Sequence, residues 1–235
     1  MSLKDVMSQL EALGDPNTKK ILTKHGAKEP FFGVKVADLK KVLKNHKKNH
    51  ELALELYDTG NSDAMYLAGL MADEKKVDKA MLQDWVDKAY WYYISEYTVP
   101  WIATDAGLGY EMGMEWIDSD IETTASAGWA ALSNWLIVTP NNEIDQNQLK
   151  SLMTRVDKEI HGAQNRVRYA MNNFVICVGG YVPELTKEAK KIGASIGKVS
   201  VEMGGTACKV PVIVDYIQKM EDKDRIGKKK KKARC

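Results

Sequence analysis

An all-α chain, coiled as a right-handed α-solenoid of stacked helical hairpins with a concave groove, is predicted by three observations. Apolar residues recur at helical spacing along the whole chain. The β-branched clusters, such as Val210 to Val214, are too isolated to build a sheet. Turn signals cut the chain into helix pairs at a spacing of roughly 35 to 45 residues, the period of HEAT-type arrays, in which each hairpin buries its apolar face against the next.

The elements follow in order. Asp15-Pro16-Asn17 caps a helix beginning near Thr18. Val36, Leu39, Val42 and Leu43 form a stripe that turns Lys40, Lys44, Lys47 and Lys48 to another face, as in a surface helix. Similar stripes run over 52–57, 65–71, 81–89, 98–108, 121–138, 149–156, 167–178 and 212–220. Between them lie Thr59-Gly60-Asn61-Ser62, Thr139-Pro140-Asn141-Asn142 and Gly179-Gly180-Tyr181-Val182-Pro183, which mark loops. Residues 1–224 are read as one repeat domain. Residues 225–235, RIGKKKKKARC, have like charges and no apolar period, and are read as a basic, mobile tail.

Composition narrows the function. No apolar run approaches the ~20 residues that span a bilayer, and the first residues lack the basic-then-apolar order of a secretory signal, so a cytoplasmic protein is expected. Cys177, Cys208 and Cys235 are odd in number and unrelated in spacing, which argues against a disulfide frame or a zinc site. His46 and His50 are four apart but lack the glutamate of HExxH, and lysines surround them. No metal or cofactor is expected.

A net charge of +2 is modest, yet the charge lies in blocks: lysines crowd 35–48 and the region from 187 onward, while 111–122 carries only acids. Lys228, Lys229 and Lys230 would grip phosphates by displacing counterions, the alternative being a solvated run with no partner. On a regular helix Tyr90, Tyr93, Tyr97 and Trp101 share a face, while Trp91 and Tyr92 point elsewhere. One set, with Trp129, is placed in the groove to stack on bases or sugars, with packing between repeats as the other reading. Arg166, Arg168, Asn172 and Asn173 bring guanidinium forks and amides within two turns, a group suited to phosphate and sugar. Met203 to Pro211 is a glycine turn before a helix, with Lys209 beside it. It lacks the GK[ST] ending of a phosphate loop. Cys208 has no histidine nearby in sequence to serve as its base.

Phe32-Gly33-Val34-Lys35-Val36-Ala37-Asp38-Leu39, Leu54-Glu55-Leu56-Tyr57 and Tyr66-Leu67-Ala68-Gly69 resemble, in order and spacing, the bacterial DNA alkylation repair proteins with HEAT-like repeats, the AlkD-like group, over the chain to about Val182. In active glycosylases of that family a basic concave channel holds duplex DNA, and tryptophans and an aspartate sit against the lesion sugar. The resemblance sets Glu96 at the aromatic place, Pro100 at the aspartate place, Trp129-Ala130-Ala131-Leu132 on the arginine-bearing helix and Asn173 at a later tryptophan. The family's central side chains are then replaced, which implies a divergent branch. Glu96 or Asp105 would have to supply a substitute carboxylate. The resemblance implies a protein that binds double-stranded DNA, with release of N-alkylated purines left open. The alternative is a non-catalytic scaffold for a protein partner or RNA.

Overall fold

The computed structural model describes residues 2–44, 46, 48–206 and 208–234, so that Lys47, Ala207 and Cys235 lie outside the described residues. Among the described residues the chain is helical throughout, and its one β-bridge, Gly14 with Val34, is isolated. In order the helices are α1 (Leu3–Ala12), α2 (Pro16–Lys24), α3 (Val36–Lys44), α4 (His50–Asp58), α5 (Ser62–Met71), α6 (Lys79–Lys88), α7 (Val99–Asp105), α8 (Gly109–Trp116), α9 (Glu122–Val138), α10 (Gln146–Glu159), α11 (Asn165–Tyr181), α12 (Thr186–Ile196) and α13 (Ile213–Asp222). None is long and apolar enough to cross a membrane.

Starts are set by side-chain caps. Asp15 accepts from the Thr18 N–H at 2.6 Å, with Pro16 in the first turn, so α2 begins two residues earlier than the sequence suggests. Asn61, Asp78 and Asp145 cap α5, α6 and α10 in the same way. Gln164, the residue preceding α11, makes no such cap. Glu122 of α9 compensates by accepting from the Arg166 N–H at 2.8 Å, a carboxylate at the positive end of a neighbouring helix.

Helices α5, α7, α9, α11 and α13 stack side by side as an inner row, and the intervening helices pack outside it. All ten residues of α5 are buried, which accounts for its weak amphipathic signature in the sequence. The apolar interior runs as two linked clusters that meet where α8 packs on α9. A Cβ on Gly128 would lie 2.6 Å from the Ile117 backbone nitrogen, so a glycine is needed for α9 to approach the end of α8. Asp63, 4% exposed, holds the loop before α3 against α5. Its carboxylate accepts from the N–H groups of Phe32 (2.6 Å), Gly33 (2.9 Å) and Val34 (3.1 Å).

The basic segment read as a mobile tail is instead laid along one rim of the inner row. Gly227 N–H donates to Gly180 O at the end of α11, and Lys230 N–H to Ile137 O at the end of α9. Ala233 N–H donates to the carboxylate of Asp105, the last residue of α7. The Arg234 guanidinium reaches the carbonyls of Gly69, Leu70 and Ala72 at the end of α5. Helix C-termini carry unpaired carbonyls and a partial negative charge. A cationic segment is therefore a complement for four of them in succession, which a count of its charges alone does not reveal.

Replacing Asp63 with alanine would leave three inward N–H groups without an acceptor, and we expect a loss of roughly 3 kcal/mol. Urea denaturation of the variant against the parent measures it, and a loss under about 1 kcal/mol would show that water replaces the carboxylate.

Candidate nucleic-acid interface

The concave side of α9 and α11 lines a cavity of ≈ 670 Å³, within the size range of small-ligand pockets. Ser133 and Asn134 of α9, Tyr169 and Asn173 of α11, and Tyr97 and Trp101 of the preceding layer form its floor and sides. Tyr216 and Met220 of α13 and the side chains of Arg225, Lys228 and Lys230 complete the wall. Rings, amides and cations thus face one space.

Tyr97 reaches the cavity through an irregular turn. Residues Tyr93–Thr98 form one π-helical turn that runs directly into α7. The wider turn changes the angular spacing on which the expected Tyr90-Tyr93-Tyr97-Trp101 face depended. Tyr93 stacks on Tyr66 at 4.7 Å and Tyr97 lies across Trp101 at 5.6 Å. Tyr90, ahead of the turn, donates to Lys28 O.

Glu96 sits in that turn, 6% exposed, and meets Arg166 of α11 through two bonds, Nε to Oε1 at 2.7 Å and Nη2 to Oε2 at 2.5 Å. Burial pushes the Glu96 carboxyl up, to about 7, against the pull of Arg166. The guanidinium lies between two tyrosine rings, 4.1 Å from the Tyr92 centroid and 4.5 Å from that of Tyr169. Its Nη1 also approaches the Met203 sulfur at 3.6 Å. Burial raises the Tyr92 phenol to about 12, so the ring remains neutral beside the arginine.

Met203 belongs to the segment between α12 and α13, which bridges the rim opposite the basic segment. Asn165 joins it through the backbone of Glu202, and Asn172 donates to Pro211 O at 3.0 Å. A side chain at Gly204 would collide with the Lys24 carbonyl at the end of α2. The inner row is therefore crossed along both rims, and the cavity lies between the crossings.

Several sequence expectations are corrected by burial. Trp91, 4% exposed, donates its indole N–H to Ser62 Oγ at 3.0 Å and belongs to the core. Trp129 is fully buried against Phe174. Asn172, 1% exposed, fixes the loop instead of facing the groove. Large rings and satisfied amides are placed inside by the energy of burial, and neighbouring sequence does not distinguish them from groove residues.

The other expected residues divide between the groove and its edges. Tyr92, Arg166 and Glu96 are brought together, and Asn173 lines the cavity beside them. Arg168 is half-buried, donates to Asn165 Oδ1, and has an Nε without a hydrogen-bond partner. Lys209 is exposed on the bridging segment. Lys229 turns inward to donate to Leu136 O at 2.8 Å, and burial lowers its amine to about 8. Asp105 is remote from Glu96 in role: its carboxylate receives Arg234 Nε at 2.7 Å as well as Ala233 N–H, and its side chain is 2% exposed. Tyr169 was missed, although its position three after Arg166 and four before Asn173 puts all three on one helix face. Among the described residues no group of three or more histidines, cysteines or carboxylates is placed to hold a metal ion.

Residues 6–192 match the family described as DNA alkylation repair enzyme. An uncharacterized protein of Listeria monocytogenes is 33% identical over 224 residues, covering 93% of this chain and 96% of its own. An uncharacterized protein of Listeria innocua is 33% identical over 222 residues, covering 92% and 96%. A solved structure, from a new family of proteins related to the HEAT-like repeat DNA glycosylases with affinity for branched DNA structures, is 36% identical, with a TM-score of 0.92 and 100% of both chains covered. The match of fold, length and sequence makes this chain a member of the DNA alkylation repair enzyme family.

Proposed function

We propose that this protein binds DNA along its concave groove, favouring branched over plain double-stranded DNA, and that it does so without releasing a base. The carrying observation is that both candidate carboxylates are already engaged: Glu96 by a two-bond pair with Arg166, Asp105 by Arg234 and a backbone N–H. A carboxyl whose oxygens are occupied in this way, and which in Glu96 is also pushed toward its neutral form by burial, is a poor stabiliser of the positive charge that develops on a sugar as a base departs. Glu96 is on this reading a positioning residue, which holds the Arg166 guanidinium between Tyr92 and Tyr169. The cavity's amides, tyrosines and rim cations suit sugar, base and phosphate. Affinity of the similar solved protein for branched DNA supports the preference for a junction.

Binding of a four-way junction, plain duplex, duplex with N7-methylguanine and single-stranded RNA across a salt series tests the proposal, with released base assayed in the same samples. We expect salt-sensitive binding, tightest to the junction, and no released base. Base release that disappears in Glu96→Gln would establish a glycosylase instead. Absence of binding at low salt would remove nucleic acid as the partner.

The buried pair also predicts a pH dependence. A folded-state pKa near 7 for Glu96, against about 4.3 for an unperturbed glutamate, favours the protonated carboxyl in the folded chain. Its stabilising contribution is full below pH ~4 and is lost as pH rises through about 7. Glu96→Gln stays neutral throughout, so the stability of the parent relative to this variant should decline between pH 5 and 8 in urea denaturation. A constant difference over that range would show that Arg166 keeps the carboxyl ionised.

A further inference from the structure

Along the segment 225–234 the cations divide by direction. Lys229 and Arg234 turn inward, onto Leu136 O and onto the α5 carbonyls, Asp105 and Glu74. Lys228, Lys230 and Lys231 are exposed. Lys228 and Lys230 line the central cavity, together with Arg225. The exposed ammonium groups are weakly answered: Lys228 meets only the highly exposed Asp224, and Lys230 and Lys231 form no ion pair among the described residues. Backbone bonds at Gly227, Lys230 and Ala233 fix the segment at three points between these groups.

From this division we infer that residues 225–234 are a fixed phosphate-binding rail, whose inward cations anchor it to helix ends while Lys228, Lys230 and Lys231 contact the phosphodiester backbone of nucleic acid entering the groove. The inference rests on the proposed DNA binding and adds to it the edge along which a strand is held. A mobile lysine run would also attract phosphates, but it would have to be ordered on binding, whereas a segment already held at the rim loses little freedom. Arg234 is the key to that order, because its guanidinium, 10% exposed, pairs with both Asp105 (2.7 Å) and Glu74 (2.8 Å) while reaching three carbonyls. Lys232, at 2.9 Å, and Lys48, at 3.4 Å, are further cations on Glu74.

The full-length protein, a triple variant Lys228→Ala/Lys230→Ala/Lys231→Ala and a single variant Arg234→Ala are compared for binding to a fluorescent four-way junction between 50 and 200 mM salt, values chosen for the range over which counterion release is strong. Thermal unfolding is recorded for each. The triple variant should keep the parent's unfolding temperature, lose about tenfold in affinity, and show a log K against log salt slope shallower by about 2 to 3. Arg234→Ala should unfold at lower temperature and bind more weakly although every rail lysine is present. Parent-like affinity and slope in the triple variant would overturn the rail. So would parent-like affinity in Arg234→Ala, because the lysines would then work without the anchor. Absence of binding by the parent itself would defeat the broader proposal of DNA binding, and the rail with it, whereas a binding parent with an unaffected triple variant defeats the rail alone.

Discussion

The inner row depends on close approach between helices. Gly128 faces the backbone at the end of α8, and a Cβ on Gly113 would come within 2.8 Å of the Leu132 side chain. At such separations a methyl group must displace its neighbour, and dense interiors yield only at a cost. Because these contacts fix the spacing of α8 and α9, they also fix which side chains of α9 are left to face the cavity. Ala130, Ser133, Asn134 and Ile137 are one side of α9, and they line the groove because another side of the helix is committed to packing.

Buried charge is handled by three different means. Asp63 is answered by three backbone N–H groups, Glu96 by a guanidinium held between rings, and Asp105 by a guanidinium and one N–H contributed from residues 233 and 234. Each solution ties together parts of the chain far apart in sequence. Removing one partner from any of them leaves an uncompensated group inside, which is costlier than never having had the pair. The fold keeps acids at the centre, but spends their hydrogen-bonding capacity on holding the groove in shape.

Helices with one wet face were readable from sequence. The 36–43 and 149–156 stripes correspond to α3 and α10, and the long 121–138 and 167–178 stripes to α9 and α11. Helices α1, α8 and α12 were not singled out. In α8 the acids and two glycines obscured an apolar set, Met112 and Trp116, whose partners lie on another helix. At the site, Arg166, Tyr92, Glu96 and Asn173 were named, but their association depends on a π-helical turn and a bridge between residues 70 positions apart. Local periodicity carries no such information. Trp91 and Trp129 failed for the converse reason, since a tryptophan in a groove and one in a core have the same local sequence. The basic segment looked unpartnered because its partners are helix-end carbonyls, which leave no trace in side-chain composition, and the carboxylates of Asp105 and Glu74, which lie far away in sequence.

The contact of Arg234 with Gly69 O spans 165 positions, and such a closure can form only after the intervening helices have brought its ends near each other. Loop-closure entropy places contacts of this kind late in folding. The repeats on either side can each assemble from near neighbours. The groove's edge is therefore completed last, on a helical stack that is already in place to receive it.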